Sequence, residues 1–208
     1  MTGILIALAI VLLVPLFVGT WRTSLLGLAI QGALMGAVAF RQRGVHLSLD
    51  TALTVIDLVA MRAVALPVAL SLVLRRQNAP ARNDVIAPNL FSWAMALALV
   101  VVAFRTADVL VPAEGDEQML VAVASAALLL GLFVLSTARG TLSQIIGLVR
   151  VENAIALFEL GSASDHESVS IRVGQTCVLL VSIGFYRWYL AGLSREESVS
   201  PATEAAVL

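Results

Sequence analysis

Glu152 stands in residues 142–161, a stretch long and apolar enough to cross a bilayer. A carboxylate at that depth costs roughly 3 kcal/mol on insertion scales and survives where it faces a protein interior or a water path. A carboxyl so placed suits proton uptake and release. Arg150 lies two residues earlier, on nearly the opposite helix face, so the two charges cannot meet through their side chains. Glu159 is seven residues on, shares the face of Glu152 and lies near the end of the stretch, within reach of water. Either this face relays protons, or Glu152 is permanently paired with an arginine from a neighbouring helix.

A second charged pair, Asp57 and Arg62, falls in the apolar stretch 49–74. Five residues on an α-helix turn through about 140° at ~100° per residue, so each side chain is expected to find its partner elsewhere, on another helix or another chain. Pro67 follows Arg62 by little over one turn and should loosen the helix by removing a backbone hydrogen bond. A charge beside a broken helix suits an ion path; assembly pairing or snorkelling to an interface would serve equally. Arg105 and Asp108 are three apart, late in their stretch, and read as a pair at the membrane interface. Gln31 is a lone amide among apolar residues, the usual setting for an interhelical hydrogen bond. Thr176 belongs with Arg172 and Gln175 to a polar patch that contains no acid.

The elements that carry these residues follow from composition. The chain has 208 residues, 60% hydrophobic and only 13% charged, with a mean hydropathy of +0.96. Soluble domains carry about 25% charged residues, so this is the composition of an all-α integral membrane protein. Seven transmembrane segments are expected, near 3–20, 23–40, 49–74, 90–111, 118–137, 142–161 and 169–192. They divide into a four-helix portion (1–111), a three-helix portion (112–193) and a polar tail (194–208). The N-terminus lacks a basic region and a cleavage site, and reads as a retained first helix. Arg22, Arg75, Arg76, Arg82, Arg139 and Arg195 fall on one side. The positive-inside rule then places the C-terminus in the cytoplasm and the N-terminus outside the inner membrane.

Several chemistries are not provided for. Cys177 is alone, so no internal disulfide forms, and His46 and His166 fall in loops without metal-ligand spacing. No phosphate loop, nucleophile elbow or haem, iron–sulfur or flavin ligand set is present, so no cofactor and no nucleic-acid partner are expected of this chain.

The run Arg139-x-x-Leu142-x-Gln144-Ile145-x-Gly147, followed by Glu152-Asn153, resembles component E of group 4 membrane-bound hydrogenases of the formate hydrogenlyase type. Gln31, and Arg62 before Pro67, fall where that family has a glutamine and a Lys-then-Pro segment. The last three spans are similar to the K-type subunit of respiratory complex I and the C-type subunit of multisubunit Na⁺/H⁺ antiporters. Gly147-Leu148 and Asn153-Ala154 match a pattern whose acid falls at Val149, one turn before Glu152. The resemblance implies a membrane subunit that gives Glu152, Arg62, Asp57, Arg150 and Glu159 to a lateral chain of charges, with Gln31, Gln144, Gly147, Asn153 and Thr176 as polar or packing support. It also implies antiporter-like and other membrane subunits as partners. Two departures stand out: Thr176 occupies the place of a second acid, and Arg62 replaces a lysine. Arginine stays charged, so Arg62 can stabilise neighbours but cannot pass a proton by changing state. A purely structural subunit and a stand-alone carrier are the competing expectations. The absence of a visible inverted repeat argues against the carrier.

Overall fold

A computed structural model describes residues 1–17, 20–43, 49–76, 90–111, 115–161, 174, 176–186, 188–189 and 192. Every element among them is helical. In chain order these are α1 (Thr2–Phe17), α2 (Trp21–Arg43), α3 (Leu49–Val55), a π-helix (Ile56–Ala65), α4 (Leu66–Arg76), α5 (Leu90–Leu110), α6 (Asp116–Thr137) and α7 (Thr141–Gly161). A shorter apolar helix, α8, follows at Thr176–Tyr186. Five helices are long and apolar enough to cross a membrane: Trp21–Gln42, Ala52–Arg75, Leu90–Leu110, Asp116–Thr137 and Thr141–Gly161. The expected first and seventh spans correspond to shorter apolar helices, Thr2–Leu13 and Thr176–Tyr186, so seven full-length spans are not established. The tail 194–208, His46, His166, Arg82, Arg172, Gln175 and Arg195 lie outside the described residues.

The helices sort their residues by size as well as by polarity. Leu5, Leu8, Leu12 and Leu16 form one buried stripe of α1, while Ile6 and Ile10 face outward. On α5 the buried stripe is Ser92, Ala96, Ala103 and Ala107, and the large side chains Leu97, Val101, Val102 and Phe104 face away from the protein. Lipid tails are as apolar as leucine, so burying large residues gains little there. Small residues that let backbones approach gain van der Waals contact instead. The centre is α6, buried along most of its length and packed between α5 and α7, with α1 against its other side.

Three glycines set the close approaches between helix backbones. A Cβ on Gly131 of α6 would lie 3.2 Å from the Val151 nitrogen, and one on Gly147 of α7 would lie 3.1 Å from the Leu135 Cα. These two positions bring α6 and α7 into backbone contact from opposite directions. On α2, a Cβ at Gly32 would lie 2.6 Å from the Ala63 nitrogen and 2.8 Å from its Cα. Only a residue without a side chain fits there, so Gly32 fixes the π-helix against α2.

The π-helix has a local cause. Pro67 has no N–H, and its ring crowds the carbonyl four residues back, at Ala63. The widened turn relieves that crowding: the Leu66 N–H bonds the Met61 carbonyl, five residues back, and α register resumes from Leu66. Gly32→Ala is expected to destabilise the protein by about 1–3 kcal/mol through overpacking. Gly3→Ala, with nothing within 4 Å of the new Cβ, serves as the control. Equal stability of the two variants in a reversible unfolding assay would contradict this packing.

Candidate functional site

The π-helix changes who meets whom. Asp57 and Arg62 are five residues apart, and five is the hydrogen-bond repeat of a π-helix. Residues that an α-helix would separate therefore stack on one face. The Arg62 Nε donates to the Asp57 Oδ2 at 3.0 Å, with side-chain exposures of 6% and 13%. The expectation that each needs a partner on another helix or another chain is thus corrected for Asp57: its partner is Arg62, on the same element.

Arg62 also reaches across the bundle. Its Nη1 donates to the Asn153 Oδ1 of α7 at 3.0 Å, a contact buried from solvent. Guanidinium nitrogens only donate, so the amide must turn its oxygen to Arg62 and its NH₂ away. A single cation thereby joins the third span to the sixth. A charged hydrogen bond buried in this way is strong because the alternative is an unsatisfied ion away from water.

Glu152, the neighbour of Asn153, points to a different helix. Its Oε1 accepts from the Tyr186 hydroxyl of α8 at 3.3 Å. Ser182, one turn before Tyr186, lies against the same carboxylate, and Arg62 is near enough to act on it through space. The polar groups thus run from Asp57 through Arg62 and Asn153 to Glu152 and Tyr186, across the third span, α7 and α8. Three buried atoms of this run have no hydrogen-bond partner among the described residues: the Asp57 Oδ1, the Asn153 Nδ2 and the Glu152 Oε2.

Other singled-out residues lie apart from this run. Arg150 is buried and donates from Nη1 to the Leu12 carbonyl of α1 at 3.4 Å, on the far side of α7 from Tyr186. Gln31 is buried, one residue from Gly32, and its Nε2 has no hydrogen-bond partner among the described residues. Gln144 donates from Nε2 to the Ala138 carbonyl at 3.3 Å and so closes the turn between α6 and α7. Glu159 is half-buried in the last turn of α7. Thr176 begins α8, ten residues from Tyr186, or about 15 Å along a helix at ~1.5 Å per residue. The α8 groups that meet Glu152 are therefore Ser182 and Tyr186, which the sequence reading did not single out. Near the interface, Asp108 accepts from Gln118 Nε2 at 3.0 Å.

Cys177 is exposed, and no cluster of three or more His, Cys, Asp or Glu side chains is present among the described residues. The chain matches no family model, no curated protein and no solved structure.

Removing Asp57 strands the Arg62 charge. Asp57→Ala is expected to cost about 3 kcal/mol, as for other broken buried pairs. Adding Arg62→Leu should recover much of that loss, because the stranded charge goes with it. A double-mutant cycle with no coupling between the two positions would contradict the pairing.

Proposed function

We propose that the chain is a membrane subunit of a multisubunit assembly, related to complex I and group 4 hydrogenases, and that Glu152 lies on a proton or ion pathway between antiporter-like and redox modules. The carrying observation is the run from Asp57 to Tyr186: five polar side chains on three apolar helices, a setting in which such groups are costly. Glu152 is the member suited to change state. Arg62 is tied on two sides and permanently charged. Glu152 has one oxygen on a tyrosine hydroxyl and the other without a partner among the described residues. The assignment to a particular class of assembly rests on the resemblance around Gln144, Gly147 and Glu152-Asn153. Under this reading the protein sits in the inner membrane with its C-terminus in the cytoplasm, binds no cofactor itself and has other membrane subunits as partners.

A structural subunit, with no ion passing through it, is the second reading. The observation favouring it is that Arg62 and Arg150 act as staples, one joining the third span to α7 and the other joining α7 to α1.

Glu152→Gln separates the two. The pathway reading expects the variant to assemble normally on native gels and to lose most ion translocation in membrane vesicles. The structural reading expects the reverse: weakened assembly, with translocation per assembled complex unchanged. Antiporter-like subunits should co-purify with the tagged chain after gentle detergent extraction. Recovery of the chain alone would remove the assembly from the proposal.

A further inference from the structure

The chain's three tryptophans and two tyrosines all fall at one end of the helix bundle. Trp21 opens α2, and Trp93, near the start of α5, stacks on Phe17 at the end of α1 with ring centroids 3.9 Å apart. Tyr186 closes α8, and Trp188 and Tyr189 follow it. One apolar cluster gathers four of these helix ends: Trp21 of α2, Leu74 of α4, Leu142 of α7 and Tyr186 of α8 all pack in it. Arg41 stands near the other end of α2, about 30 Å from Trp21 at ~1.5 Å per residue.

Charge divides along the same line. Arg22, Arg75 and Arg139 are exposed at the tryptophan end, beside Trp21, beside Leu74 and just before α7. No Asp or Glu stands at that end among the described residues. The opposite end carries Asp108, Asp116 and Glu117 as well as Arg41 and Arg105.

The exposed helix surface next to the arginines is apolar. Leu26 follows Arg22 by four residues and is 59% exposed; Leu72 precedes Arg75 by three and is 43% exposed. Residues at such spacings share a helix face. Each face therefore offers a guanidinium at the helix end and a bare leucine one turn inward. A phospholipid with an anionic head group has the matching order of groups, phosphate outermost and acyl chains beneath. Guanidinium suits phosphate because its planar N–H groups donate in pairs. Tryptophan and tyrosine belong at the same level, since they concentrate where a bilayer meets water, and Trp188 is 71% exposed. A soluble protein or a nucleic acid would suit the arginines but leave the leucines beneath them unmatched.

We infer that this end of the bundle binds anionic phospholipid, with Arg22, Arg75 and Arg139 holding head-group phosphates and the acyl chains lying on Leu26 and Leu72. The binding is independent of any role of Glu152.

The tryptophans report on it directly, because all three stand at the end in question. The full-length chain is reconstituted in phosphatidylcholine bilayers containing a small fraction of lipid brominated near the head of its chains. The brominated lipid is either phosphatidylglycerol or phosphatidylcholine. Bromine quenches tryptophan only at close range, so lipid at the opposite end goes unseen. Brominated phosphatidylglycerol is expected to quench as strongly as brominated phosphatidylcholine at about five times its concentration, the enrichment that one arginine gives at an anionic surface. The difference should shrink in 1 M sodium chloride, where the screening length falls to about 3 Å. It should vanish in the combined variant Arg22→Gln, Arg75→Gln, Arg139→Gln and persist in Arg41→Gln, Arg105→Gln. Equal quenching by the two lipids in wild type would overturn the inference, and this arm needs no variant to fold. Quenching by neither lipid would mean that protein covers these tryptophans, and would overturn it too. A difference that survives loss of the three arginines would remove them as the phosphate-holding groups.

Discussion

Arg62 is a permanent charge buried inside the helix bundle, and most of the polar architecture follows from satisfying it. Its Nε takes Asp57 and its Nη1 takes Asn153. The first contact requires a π-helix, because an α-helix would turn Asp57 about 140° away. The second requires α7 to present an amide at that level, which places the adjacent Glu152 toward α8. The position of the candidate proton-carrying acid is thus a consequence of how a cation was accommodated one helix away.

The π-helix is in turn held by constraints on both sides. Pro67 interrupts the ladder at its end, and Gly32 lets α2 press against the backbone of Arg62 and Ala63. Gly36, one turn further along α2, lies against the Val59 side chain, a Cβ there falling 2.6 Å from Val59 Cγ2. A small-xxx-small face therefore meets a widened helix, and close backbone contact offsets the weaker hydrogen bonding of the π register. Ten residues of π-helix are unusual, since such turns mostly occur singly and often at functional sites.

Much of this was legible in the sequence. Composition declared a helical membrane protein, and the charges marked the positions with the most at stake. The helix weakened before Pro67 was foreseen from proline chemistry. The Asp57–Arg62 pair was missed because the angle between them was reckoned at the α-helical turn, although Pro67 itself signalled that the turn would change. The Gly32-Ala33-Leu34-Met35-Gly36 spacing was a visible signal for close packing that went unread. Tyr186 could have been found by asking where a hydroxyl on an apolar helix finds a partner. The Leu12 carbonyl that receives Arg150 had no signal in the sequence, because a backbone acceptor carries no mark in residue type.

The register of residues 56–65 decides which group meets Arg62. Solid-state NMR of the full-length chain in lipid, with nitrogen label on arginine and carboxyl label on aspartate, measures it directly. The π register predicts a dipolar contact between the Arg62 Nε and the Asp57 carboxyl at hydrogen-bonding range, abolished by Asp57→Asn at the carboxyl label. Absence of that contact in the folded protein would mean an α-helical register. Arg62 would then be satisfied elsewhere, and the run linking it to Asn153 and Glu152 would have to be redrawn.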